Sequence, residues 1–478
     1  MLFTTFSFLL FFTAFFFLYW LALGNNLKRQ NLLLLIGSYV FYAAWDYRFL
    51  ALIIVNSLLN FILGQKISAA KEHNTKKILT TVGIILGLGQ LFYFKYFHFF
   101  IDSFAALLHI KEPGALQTLN ILLPLGISFY TFKLVGYLID IKNKKAESVD
   151  DWVVFFSYVA FFPCIIAGPI DKGKTLIPQL KAARKFDYTE AIEALKQIAW
   201  GMYKKVIIAD NLSQYCDETF ANVSVYSGST ALVGVMMYVL QLYADFSGYS
   251  DIAIGISRLL GFDITRNFDY PLFAQNIAQF WRKWHMSLTQ WLNEYLFTPL
   301  AIAFRDYGKF GTILAIFINF IVIGFWHGAN VTYGVFGLIN AIYFIPLVLL
   351  GKVNKSKKSN SDKLFASRKE LINIALTFLM VAFAFIFFRA NNLNSAIQII
   401  QKIASPSLLQ KPFIMTKFVI PYIVIFIAIE WLGRNESFAM AKIAYNWPIF
   451  GRRLFYYFIF FSIFFFAAVN QNFIYVQF

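Results

Sequence analysis

Five histidines stand in this chain of 478 residues, and two of them sit where an imidazole could do chemistry. His327 closes an almost wholly apolar run, TILAIFINFIVIGFW, and is followed by Gly328, Ala329 and Asn330. An ionisable group in such a run is a functional candidate by default, with a structural hydrogen bond as the plain alternative. His285 lies in QFWRKWHMSLTQWL, where Trp281, Trp284, His285, Leu288 and Leu292 share one face of a continuous helix and Lys283, Gln290 and Glu294 take others. The plain reading there is an amphipathic helix at the inner membrane interface, its tryptophans among headgroups and its histidine incidental. A third polar cluster, YADFSGYSD at 243–251, sets Asp245, Ser247, Tyr249, Ser250 and Asp251 in an apolar stretch. Carboxylates in lipid need partners, so this stretch should face a water-filled cavity or a polar ligand.

The other histidines are less telling: His73 lies in a basic loop, and His98 and His109 end a Phe-rich helix. Cys164 and Cys216 show neither metal-type spacing nor a disulfide framework. A single imidazole with no metal cluster and no reactive thiol suits transfer from a thioester. That donor is already activated, so the protein needs only to hold two substrates in line and take a proton from the attacking hydroxyl. A positioned general base contributes ~10²–10⁴-fold.

The elements that must position these residues belong in lipid. Hydrophobic residues make up 59% of the chain and charged residues 14%, with a mean hydropathy of +0.61, far from the roughly one-quarter charged residues of soluble domains. The 58 Phe and 26 Tyr include runs such as FFTAFFF at 11–17, suited to acyl-facing helices and interfacial belts. A net charge of +17 would suggest nucleic acid in a soluble protein, but here Lys and Arg lie in short loops between apolar segments. That is the positive-inside pattern, and it makes membrane lipids rather than nucleic acid the partner.

Spans of ~20 apolar residues are expected near 2–24, 31–45, 48–64, 78–97, 119–141, 228–244, 312–326, 331–350, 371–389, 416–433 and 453–470, with weaker segments at 152–168 and 196–210. The first segment has no cleavage site and reads as a retained span. Basic stretches at 28–29, 66–77, 142–145, 172–185, 282–283, 352–363 and 452–453 mark cytoplasmic loops. Both termini then lie outside, 152–168 is re-entrant, His285 faces inward and His327 outward. With no internal repeat or soluble insertion, one membrane domain over 1–478 is expected.

The residues themselves resemble a family, the membrane-bound O-acyltransferases, and within it the bacterial branch that O-acetylates alginate and peptidoglycan and D-alanylates teichoic acids. The resemblance runs through LPLGISFYTFKLVGYLID at 123–140, FFPCIIAGPI at 161–170, KKVIIADNL at 204–212, LQLYADFSGYSDIAIGISRLLGF at 240–262, NFDYPLFAQNIAQFWRKWHMSLTQWLNEYLFTPL at 267–300, GFWHGANVTYGVFGLINAIY at 324–343 and FFRANNLNSA at 387–396. It implies an all-α polytopic fold, a ring of about 11 transmembrane helices with re-entrant and interfacial helices around a central tunnel. Its core would lie at about 119–396, followed by a C-terminal helix and aromatic tail at 453–478. By the same resemblance His327 is the catalytic histidine and His285 the second, inner one. Trp281, Trp284, Asp245, Ser247, Tyr249, Trp326 and Asn330 are the candidate substrate-binding and tunnel residues. One departure is TPLAIAFRDYG after residue 297, where relatives usually carry glycines.

The terminal NFIYVQF resembles the aromatic end of the small partner protein of D-alanyl transfer systems. It suggests that Tyr475 returns to the outer funnel and accepts the acyl group on its phenolic oxygen. The alternative is an aromatic belt of Phe473, Tyr475 and Phe478 that anchors the last helix. The expected function is transfer of an acyl group, acetyl first, from a cytoplasmic thioester such as acetyl-CoA across a bacterial inner membrane, with no bound cofactor or metal. A periplasmic or extracellular SGNH-type transferase would complete O-acetylation of an envelope or exported polysaccharide. D-alanyl transfer from a carrier protein, a transporter or flippase without chemistry, and an inert scaffold are the rivals.

Overall fold

The computed structural model describes residues 1–24, 26–108, 122–353, 365–414, 417–466 and 473–474, apart from the side chains of 106 and 107. Tyr475, His109 and most of the 352–363 linker lie outside the described residues. Each of the eleven expected spans coincides with helix over most of its described length, and among the described residues there is no strand. Helices satisfy their own backbone groups, which lipid cannot do. Among the described residues six of them are long and apolar enough to cross a membrane: Arg48–Ala69, His73–Ala105, Gly228–Leu259, Arg305–His327, Val331–Leu349 and Arg368–Arg389. The protein is an all-α, multi-pass membrane protein.

The chain forms two compact units, residues 1–194 with 256–265, and residues 195–255 with 266–478. In the first, the Ile127–Lys142 helix is buried along almost its whole length, and Arg48–Ala69 and His73–Leu91 pack on it. The weak segment at 152–168 is two short helices, Trp152–Ala160 and Phe162–Ile165, broken at Phe161. Nine residues of helix rise only ~14 Å, against a hydrocarbon core of ~30 Å, so this segment is no span. Buried side chains also tie the unit together. Asn31 donates to Leu180 O at 2.8 Å and accepts from the Arg184 guanidinium at 2.6 Å, while Asp171 accepts from both the backbone and hydroxyl of Thr265.

In the second unit two close helix approaches position the chemistry. Gly308–His327 and Val331–Leu349 form an antiparallel hairpin. A Cβ on Gly324 would come within 2.1 Å of Tyr333 O, and one on Gly337 within 2.3 Å of Phe320 O, so any larger residue would push the helices apart. Likewise the chain at Gly201 touches Gly248 of the Gly228–Leu259 helix, a Cβ on either meeting the other's carbonyl oxygen within 2.8 Å. The glycine of YADFSGYSD is therefore a contact point, and it brings Lys204 and Lys205, in the π-helical turn Tyr203–Ala209, against that helix.

Candidate active site

His327 is the last residue of its helix and is buried. Its ring packs edge-on against Phe388 at 4.8 Å and Trp326 at 4.9 Å between centres. Trp326 also meets His285 at 5.6 Å, so one indole touches both imidazoles. On its other side His285 lies over Phe246 at 4.6 Å. Asn330 caps the following helix by accepting from the Thr332 amide, and donates to Asn391 O at 2.8 Å. The turn after His327 is thereby held from both ends.

The continuous amphipathic helix expected around His285 is absent. Ile277–Lys283 stops, Trp284 is extended, His285 takes a left-handed conformation with φ 43°, and Met286–Leu292 starts afresh. The neighbouring loop explains the break. Met286 N–H donates to Asn267 O at 2.7 Å, Asp269 N–H donates to Lys283 O at 3.0 Å, and the Ser287 hydroxyl donates to Asn267 Oδ1 at 2.6 Å. Backbone groups that would continue a helix are used sideways instead. A left-handed non-glycine residue persists only where its surroundings over-determine it, at a cost of ~1–3 kcal/mol. Trp281, Trp284 and His285 are all buried rather than spread at an interface. Burial also pushes the His285 imidazole down to about 3, so it is neutral at physiological pH.

Beyond Phe388 a cavity of about 320 Å³ opens, lined among others by Lys205, Asp210, Tyr238, Gln241, Asp245, Arg389 and Asn391. Lys205 Nζ sits 2.7 Å from Asp210 and 2.7 Å from Asp245, and Arg389 pairs with Asp217 at 2.6 Å. The tail reaches this wall. The Ile474 amide donates to Asp245 Oδ2 at 2.8 Å, and Phe473 stacks on Tyr249 at 4.7 Å. Of the polar stretch, Asp245 faces this cavity.

One residue away, Lys204 builds a different cluster. It meets Asp251 at 2.5 Å and Glu430 at 4.0 Å, while Glu430 accepts from Trp200 at 3.0 Å and Tyr243 at 2.5 Å. Lys204, Tyr243, Asp251 and Glu430 line a slot of about 20 Å³ together with Ser247, Ser250 and Asn267. Of the sequence candidates, the structure brings together His327, His285, Trp326 and, through Phe246 and Phe473, Asp245 and Tyr249. Asn330 lines the larger cavity and Ser247 the slot. Trp281 and Trp284 line neither. Trp281 donates to Asn340 at 3.0 Å and packs on Phe320, and Trp284 stacks on Phe280. Sequence reading passed over Lys204, Lys205, Asp210 and Glu430, although each is a charge set in apolar sequence, which was the usable signal.

Comparison with known proteins matches this chain to one family. The description "MBOAT, membrane-bound O-acyltransferase family" fits residues 2–351. A probable alginate O-acetylase of Pseudomonas syringae pv. tomato is 36% identical over 371 residues, covering 77% of this chain and 69% of that protein. The chain belongs to the membrane-bound O-acyltransferase family. A peptidoglycan O-acetyltransferase of Helicobacter pylori is 31% identical over 410 residues, 80% of this chain and 75% of its own. A teichoic acid D-alanyltransferase of Bacillus subtilis is 27% identical over 276 residues, 56% and 69%. This protein is a membrane O-acyltransferase, and both candidate histidines fall within the matched region.

Proposed function

We propose that this acyltransferase takes an acetyl group from a cytoplasmic thioester, acetyl-CoA, and passes it through Tyr475 to an SGNH-type transferase outside a bacterial inner membrane, for O-acetylation of an exported or envelope polysaccharide. Both termini lie on the outer side in this reading, and the basic loops mark the side of donor entry. The phenolic oxygen of Tyr475 attacks the thioester carbonyl. Its proton passes to the His327 imidazole, the C–O bond forms, the C–S bond breaks, and the thiolate recovers the proton from the imidazolium. A phenolate leaves more readily than an alkoxide, so the tyrosyl ester is a competent carrier. His285, neutral and locked beside Trp326, keeps the passage to His327 in shape.

The observation that carries this reading is the Ile474 amide on Asp245, which anchors the chain on the cavity wall one residue before Tyr475. His327 is one ring away, across Phe388. Relatives named for O-acetylation match more of the chain, at higher identity, than those named for D-alanylation, which supports acetyl as the group and a polysaccharide as the final acceptor. Membranes given radiolabelled acetyl-CoA should label the wild-type protein but neither His327→Ala nor Tyr475→Phe. Label that survives Tyr475→Phe removes the tail as carrier. No label on the wild type, with label from a D-alanyl carrier protein, replaces acetyl-CoA as donor.

A further inference from the structure

On the Gly228–Leu259 helix, Tyr238, Gln241 and Asp245 follow one another at i, i+3 and i+7, a single stripe on the wall of the larger cavity. Asp245 is engaged by Lys205 and by the Ile474 amide. The other two are not engaged. The Tyr238 hydroxyl and the Gln241 carbonyl oxygen are buried, their residues 1% and 4% exposed, and neither has a hydrogen-bond partner among the described residues. Buried polar atoms in native proteins are almost always satisfied, so the partner comes from what enters the cavity.

The charges restrict that occupant. Lys205 is held by Asp210 and Asp245, and Arg389 by Asp217, so these three carboxylates already outnumber the two cations they pair with. An anionic group would enter against like charge and find its countercharges taken. What fits is a neutral group with an oxygen to accept from Tyr238 and a neighbouring N–H or O–H to donate to Gln241. The stripe from Asp245 to Tyr238 rises ~10 Å along the helix, and the four residues 475–478, extended, would span ~13 Å.

We propose that Tyr238 and Gln241 are positioning residues for the acyl acceptor. Tyr238 donates to the acceptor's hydroxyl oxygen, which leaves that hydroxyl's own proton for the base, and Gln241 takes an adjacent donor. The proposal rests on the acyl-transfer reading, and its chemistry, a neutral hydroxyl with a donor beside it, is supplied by the chain's own tail or by a glycan.

Two measurements test it. With radiolabelled acetyl-CoA and whole membranes, Tyr238→Phe and Gln241→Leu should label at least 10-fold more slowly than wild type at unchanged KM for acetyl-CoA. Labelling within twofold of wild type overturns the assignment, as does a KM for the donor that rises in step with the rate loss. Independently of any donor, purified Tyr475→Phe protein should bind p-cresol, read by saturation-transfer NMR, at least 10-fold more tightly than the same protein carrying Tyr238→Phe. The anionic 4-hydroxybenzoate should not compete. Equal affinity in both proteins overturns the subsite even if acetyl-CoA proves to be the wrong donor, whereas failure of wild-type labelling with this binding intact removes only the donor. A neutral methyl glycoside that binds the same groups more tightly than p-cresol assigns the acceptor to a glycan and sustains the subsite.

Discussion

Lys204 and Lys205 are neighbours in sequence, both buried, and each holds two carboxylates, yet they serve opposite ends. Around Lys204 every group closes on another: Gln197 donates to Asp251, and Trp200 and Tyr243 donate to Glu430, leaving room for about one water. Around Lys205 the pairs leave a cavity more than ten times larger, and one carboxylate accepts a backbone amide from the tail. The same residue types make a clamp in one place and a binding site in the other. What differs is whether side-chain donors such as Gln197, Trp200 and Tyr243 close the carboxylates in on themselves or, among the described residues, a cavity opens beside them.

Asp245 offers the sharpest way to break the comparison. Asp245→Leu should release the tail and remove one of the two carboxylates on Lys205, so that acyl labelling falls by more than ~100-fold, roughly 3 kcal/mol of lost positioning. Labelling near wild type would mean that the tail contact is incidental. Glu430→Leu should act the other way. It removes one partner of a buried charge cluster at a cost of ~3–5 kcal/mol in stability, while labelling per folded molecule in detergent stays within about threefold. A loss of turnover without a fall in melting temperature would transfer Glu430 from the clamp to the active site.

Gly248→Ala probes what the two clusters share. Its Cβ would meet Gly201 O at 2.8 Å and Lys205 N at 3.0 Å, so both lysines shift together. A stability loss of ~1–3 kcal/mol is expected, with labelling reduced in the molecules that remain folded. The smallest effect is expected at Asn330→Ala, which removes a helix cap worth ~1 kcal/mol. Thermal unfolding should drop slightly, and His327-dependent labelling should persist at a lower rate.

Much of this was legible before any coordinate. Apolar run lengths and the placement of Lys and Arg mark the helices, because a spanning segment must be long, apolar and internally hydrogen-bonded whatever surrounds it. His327 stands out for the same reason, as an imidazole at the end of an apolar run. His285 shows where such reading stops. Its neighbours repeat with helical period, but a loop from 267–270 captures the backbone at 283 and 286 and breaks the helix there. Period describes one element's own preference and carries no information about a competing chain arriving from elsewhere.

The second cluster makes the same point with charges. Lys204, Lys205, Asp210 and Glu430 are visible one by one as polar residues in apolar sequence, but which carboxylate meets which lysine depends on the Gly201 and Gly248 backbones touching. By itself the amino-acid sequence determined that this protein lives in a membrane as helices and that one imidazole closes an apolar run, since those follow from local solvation and composition. Only the tertiary structure decided that two adjacent lysines face different spaces and that the tail reaches Asp245. Pairings across distant residues are settled by how closely helices pack, and that is a property of the assembled interior rather than of any one stretch.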